Sequence, residues 1–154
     1  MKKLVFILFI CLVSAETYSW EDGGTILGFY GNISNPANVG TTGGVTPYDG
    51  DYMLTVSESP MLDTPQAFIG YVKSLNAGDV VDACFWGYDN TPGSSPSLRI
   101  WAQYSFNDDL TAYDGSAGGN QDYTDGTGWS QVCHTWTIPA DKEALTIQAR
   151  LYSG

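Results

Sequence analysis

Apolar residues in this chain recur at every second position over short runs, and no long stretch repeats them every three to four. Residues 97–104, "SLRIWAQY", show the pattern plainly. Leu98, Ile100, Ala102 and Tyr104 share one parity, and Arg99, Trp101 and Gln103 share the other. Successive side chains of a strand point to opposite faces, so the first set is expected to face a core and the second to face away. Residues 144–152 repeat the arrangement, with Leu145, Ile147, Ala149 and Leu151 opposed to Thr146, Gln148, Arg150 and Tyr152. In 80–88, Val81, Ala83 and Phe85 oppose Asp82, Cys84 and Trp86; in 52–58, Tyr52, Leu54 and Val56 oppose Met53, Thr55 and Ser57. Val132, His134, Trp136 and Ile138 also align, which reads His134 as a neutral core or rim histidine.

These runs predict strands at 25–30, 52–58, 66–74, 80–88, 97–106, 130–138 and 144–152. Between them lie stretches of turn chemistry, "NPANVGTTGG", "NAGD", "DNTPGSSP", "DGSAGGNQDYTDGTG" and "PADKE". Seven short strands, each with one apolar and one mixed face, predict an all-β domain: a two-sheet antiparallel β-sandwich or jelly roll.

The mixed faces carry the chemistry. Asp82 and Trp86, then Arg99, Trp101 and Gln103, then Gln148, Arg150 and Tyr152 combine flat rings with planar or charged hydrogen-bonding groups. Sugar rings stack their C–H faces on aromatic planes and offer hydroxyls to such partners. The competing expectation is that loops cap the tryptophans and that Arg99 or Arg150 pairs with Asp82.

The first residues, "MKKLVFILFICLVSA", pair a Lys2-Lys3 n-region with an apolar run too short to span a bilayer and a small-residue cleavage pattern at 13–15. They predict a secretory signal over 1–15, a single domain over 16–154, and a secreted, extracellular protein. Losing Lys2 and Lys3 lowers the net charge by two, from −11 to −13. Such a chain repels phosphate backbones and anionic membranes, so nucleic acid and membrane are poor partners, and a neutral or cationic ligand or a bound cation fits better. Export also permits a disulfide between Cys84 and Cys133, with two buried thiols as the alternative.

The order of features resembles the jelly-roll carbohydrate-binding modules attached to secreted bacterial glycoside hydrolases. The resemblance runs through "SWEDGG", "DGDYMLTVSES", "LNAGDVVDACFWGYD" and "GTGWSQVCHTWTIPADKEALTIQARLYS", and so covers nearly all of 19–152. "TPGSSPSLRIWAQYS" and "YDGSAGGNQDYTDGTGW" are also similar to a recurrent, uncharacterised domain of large secreted bacterial proteins. The resemblance implies a polysaccharide ligand and a structural Ca²⁺ near the start of the chain, for which Glu21, Asp22, Asp49 and Asp51 are the candidates. Ordinary turn carboxylates are the alternative reading of those four. Such modules end on a further Asp-containing strand, whereas this chain stops at "LYSG". The resemblance therefore implies either a missing terminal strand or a truncated reading frame.

An enzyme is not expected. The chain has one histidine and lacks a nucleophile elbow, an HExxH motif and a phosphate loop. Carboxylate pairs at 108–109 or among Asp114, Asp122 and Asp125 are within the means of acidic loops. A small jelly-roll polysaccharide lyase using Arg99, Gln103, His134 and Tyr152 is one alternative function. A structural or adhesive surface module with no ligand is the other.

Overall fold

The structure, a computed structural model, describes residues 15–57, 64–89, 97–120 and 128–152. Residues 1–14 of the predicted leader and the Asp122/Asp125 stretch lie outside the described residues.

Nine strands are present among the described residues, and no helix. They are β1 (Gly28–Tyr30), β2 (Ser34–Val39), β3 (Met53–Ser57), β4 (Gln66–Val72), β5 (Val80–Asp89), β6 (Ser97–Ser105), β7 (Ser116–Gly119), β8 (Gly128–Thr137) and β9 (Ala144–Tyr152). The chain is thus all-β. Its strands pair antiparallel in a five-stranded sheet ordered β1-β4-β9-β6-β7 and in two two-stranded sheets, β2-β3 and β5-β8. β9, the last strand among the described residues, lies inside its sheet, bonded to β4 on one side and β6 on the other.

Seven of these strands fall where alternation predicts them. β2 and β7 fall in stretches whose Gly, Pro and Asn content reads as turn. β2 accommodates Pro36 at a register shift between Ser34 and Ala37, where the ladder is interrupted and a missing N–H costs nothing. β7, "SAGG", is an edge strand pressed against β6. A Cβ on Gly119 would stand 2.1 Å from the Ile100 carbonyl oxygen and 2.6 Å from Trp101 Cα. The closeness of the two strands is therefore what requires glycine there.

One apolar cluster joins the five-stranded sheet to the β5-β8 pair. Ile100 and Ala102 of β6, Leu145 and Ile147 of β9, and Val132 and Trp136 of β8 are buried in it. Val81, Ala83 and Phe85 of β5 pack against it. Those are the parities expected for β5, β6, β8 and β9. β3 reverses its expectation: Met53 is buried and Tyr52 is exposed. β3 pairs only with β2 in a separate sheet, with Met53 opposite Val39, so the main cluster does not dictate its faces.

The β5-β8 ladder aligns Cys84 with Cys133, and the two are joined by a disulfide with Cα atoms 4.1 Å apart. The bridge closes a loop over a sequence separation of 49. Restricting the unfolded chain over such a loop stabilises a fold by about 2–4 kcal/mol. Reduction, or the double substitution Cys84→Ser/Cys133→Ser, is expected to lower the unfolding free energy by about that amount in a urea titration. Leu145→Ala, in the centre of the cluster, is expected to cost about 2–5 kcal/mol in the same measurement.

Candidate functional site

β6 and β9 turn one parity into the apolar cluster and the other away from it. The away-facing row is built on a register in which Arg99 stands opposite Arg150 and Trp101 opposite Gln148. Directly opposed like charges destabilise a ladder, and the side chains avoid each other by reaching diagonally. The Arg99 guanidinium lies 4.0 Å from the centre of the Tyr152 ring, and that of Arg150 lies 4.8 Å from the Trp101 ring. The Trp101 indole N–H donates to Ser116 Oγ of β7 at 3.1 Å. Arg150 Nε donates to Gln148 Oε1 at 3.0 Å, and Gln148 Nε2 donates to Gln103 Oε1 at 3.0 Å. Burial lowers the Arg150 pKa below the ordinary guanidinium value, opposed by a hydrogen bond with Tyr152. The four outer side chains, Arg99, Trp101, Arg150 and Tyr152, are half-buried.

The other end of this face is covered. Gln103 is 5% exposed and Gln148 is fully buried, so neither is presented to a ligand as the alternation alone suggests. The cover is the segment between β6 and β7. Thr146 Oγ1 donates to the Leu110 carbonyl at 2.8 Å and shares a hydrogen bond with Ser105 Oγ. The Tyr71 hydroxyl donates to the Phe106 carbonyl. Ser74 N donates to Asn107 Oδ1, whose own backbone N–H donates to Glu143 Oε1. Within the segment, Asp109 Oδ1 accepts from the hydroxyl and N–H of Thr111 and from Ala112 N. Those bonds, Thr111 first, hold the Asp109 carboxyl below its ordinary value. Gln103 and Gln148 thus position Arg150 from beneath, while Tyr113, at the end of the segment, stands exposed and bears electrostatically on Arg150.

Asp82 and Trp86 do not join this face. They project from β5 on the side of the β5-β8 pair turned away from the cluster, a different surface. Asp82 accepts from the Thr135 hydroxyl, not from either arginine. Trp86 remains 39% exposed although the Tyr48 ring stacks on it at 3.8 Å. Tyr48 also meets Trp129 edge-on, Trp129 meets Tyr88, and the Trp129 indole N–H donates to the Thr46 carbonyl. Trp129 shares parity with Gln131 and Cys133, but the predicted strand begins at 130, two residues after β8 does. Tyr48 carries no sequence signal that places it on Trp86.

At the start of the chain, Glu21 Oε1 accepts from the backbone N–H groups of Asp51 and Tyr52, both at 3.0 Å. The N-terminal segment therefore does meet the 49–51 turn. Asp22 Oδ1 accepts from the Tyr18 hydroxyl and from Gly24 N, which hold its carboxyl below the ordinary value. Among the described residues no three His, Cys, Asp or Glu side chains converge. His134 packs edge-on against Trp136, 4.8 Å between ring centres, on the core-facing parity of β8. It is therefore on a different surface from Arg99 and Tyr152. Protein-family models, curated proteins and solved structures contain no match to this chain.

Gln148→Ala leaves the Gln103 and Arg150 groups without their shared partner in a buried position. The expected cost is about 1–3 kcal/mol in denaturant unfolding, beyond the transfer of the side chain itself. Asp109 has a folded-state pKa below its ordinary 3.8, so its contribution to stability is complete above that pH and is lost as pH falls through and below it. Thermal melting of Asp109→Asn is expected to fall less than wild type over that acidic range; equal slopes would contradict a clamp at Asp109.

Proposed function

We propose that the five-stranded sheet and the β5-β8 pair form the two layers of a jelly-roll β-sandwich, and that the chain serves as a non-catalytic carbohydrate-binding module of a secreted protein. The observation that supports this reading is the set of crossed pairs Arg99–Tyr152 and Arg150–Trp101 on neighbouring strands. Rings held at a surface by guanidinium groups supply flat apolar area beside hydrogen-bond donors, the combination that a pyranose ring with its hydroxyls requires. The side chains sit on strands, with Arg150 tied by Gln148 and Trp101 by Ser116, so less conformational freedom remains to be lost on binding.

A ligand-free structural or adhesive module is the second reading. It is favoured by Tyr48, which covers one face of Trp86. Affinity electrophoresis in gels containing plant and algal polysaccharides separates the two. The binding reading expects retardation by at least one polymer, weakened about tenfold or more in Trp101→Ala, the loss of about 1.4 kcal/mol. No retardation by any polymer favours the structural reading. The proposed Ca²⁺ at Glu21, Asp22, Asp49 and Asp51 is expected to raise the melting temperature by mass action; identical melting with EDTA and with millimolar Ca²⁺ would remove it.

A further inference from the structure

The ladder between β6 and β9 places Arg99 and Arg150 directly opposite each other in a chain with 6 Lys+Arg and 17 Asp+Glu. Carboxylates are abundant, yet among the described residues none pairs with Arg150. Its partners are the Gln148 carbonyl oxygen, the Trp101 ring and Tyr152, all uncharged. Elsewhere Lys142 pairs with both Asp114 and Asp141, so the fold does neutralise a cation there. A guanidinium has five N–H donors in a planar fork. Arg150 gives its Nε–H to Gln148, Trp101 covers the guanidinium face, and Tyr152 takes one bond, which leaves the rest of the Nη edge as its hydrogen-bonding side. Gln148 and Gln103 fix this orientation, and Arg99 adds a second positive charge one strand away.

We propose that Arg150, with Arg99 beside it, receives the carboxylate of a uronic acid residue whose pyranose ring lies along Trp101 and Tyr152, so that the ligand is a polyuronate. This rests on the carbohydrate-binding reading and narrows its ligand class. A carboxylate matches the guanidinium fork with two coplanar N–H···O bonds, stronger than bonds to neutral hydroxyls. The acidity of the chain as a whole opposes a polyanion at long range, but that repulsion is screened beyond about 8 Å at physiological salt, whereas the fork acts in contact. Salt weakens both effects. Esterification of the ligand is therefore the cleaner variable.

The full chain is to be run in affinity gels containing polygalacturonate, alginate, methyl-esterified polygalacturonate, a sulfated galactan and neutral xylan. The expected result is retardation by polygalacturonate or alginate, at least about tenfold weaker on the methyl ester. Arg150→Gln is expected to weaken uronate binding about tenfold or more, and Arg150→Lys, which keeps the charge but not the fork, by less. If Arg150→Gln fails to fold by circular dichroism, Arg99→Gln and the ester comparison carry the test. Equal retardation by acid and ester, unchanged binding in the folded arginine variants, or binding of the sulfated galactan with none of the uronates overturns the proposal. Retardation by xylan alone overturns it and leaves the carbohydrate-binding reading standing. No retardation by any polymer overturns both.

Discussion

The pairing of β6 with β9 is the constraint on which the remaining features depend. It runs without a bulge from Ser97 opposite Tyr152 to Ser105 opposite Ala144. Because side chains alternate, this single register sends Ile100, Ala102, Leu145 and Ile147 into the apolar cluster and Arg99, Trp101, Arg150 and Tyr152 to the other side. A slip by one residue would exchange the two sets, burying guanidinium groups and exposing the core. The buried pairs Gln103–Gln148 and Ser105–Thr146 reinforce the register, since their hydrogen bonds exist only when these residues are neighbours.

That face is divided by a connection. The segment from Phe106 to Gly115 leaves β6, crosses the end of the face above Thr146 and returns to β7. The buried glutamines under it are bonded to each other and, through Gln148, to Arg150, while Gln103 Nε2 is left buried without a partner among the described residues. The polar network thus connects the covered end to the open end: the order of the first holds the arginine of the second. The disulfide makes a comparable contribution to the other pair of strands, tying β5 to β8 where only two strands share the ladder.

Strand positions were largely legible because alternation is a local property. β9 was predicted over its full range, and β5, β6 and β8 to within one or two residues at either end. β2 and β7 were not legible, since their Pro and Gly are tolerated only through an interruption in one ladder and a close approach in the other. Arg99, Trp101, Arg150 and Tyr152 could be read as one away-facing row. Gln103 and Gln148, of the same parity, could not be told apart from them, because their cover comes from a connection that carries no periodicity of its own.

The sequence by itself determined an all-β chain, the inward and outward parity of four strands, and the charge against which any ligand is measured. These follow from the two-residue repeat of an extended backbone and from counting ionisable groups. Tertiary structure alone decided that Arg99 crosses to Tyr152 and Arg150 to Trp101, that Trp86 lies on another surface beneath Tyr48, and that Cys84 meets Cys133. Each of those depends on which strands become neighbours and in what register. That choice is made by long-range burial and pairing, which no short stretch of the chain encodes.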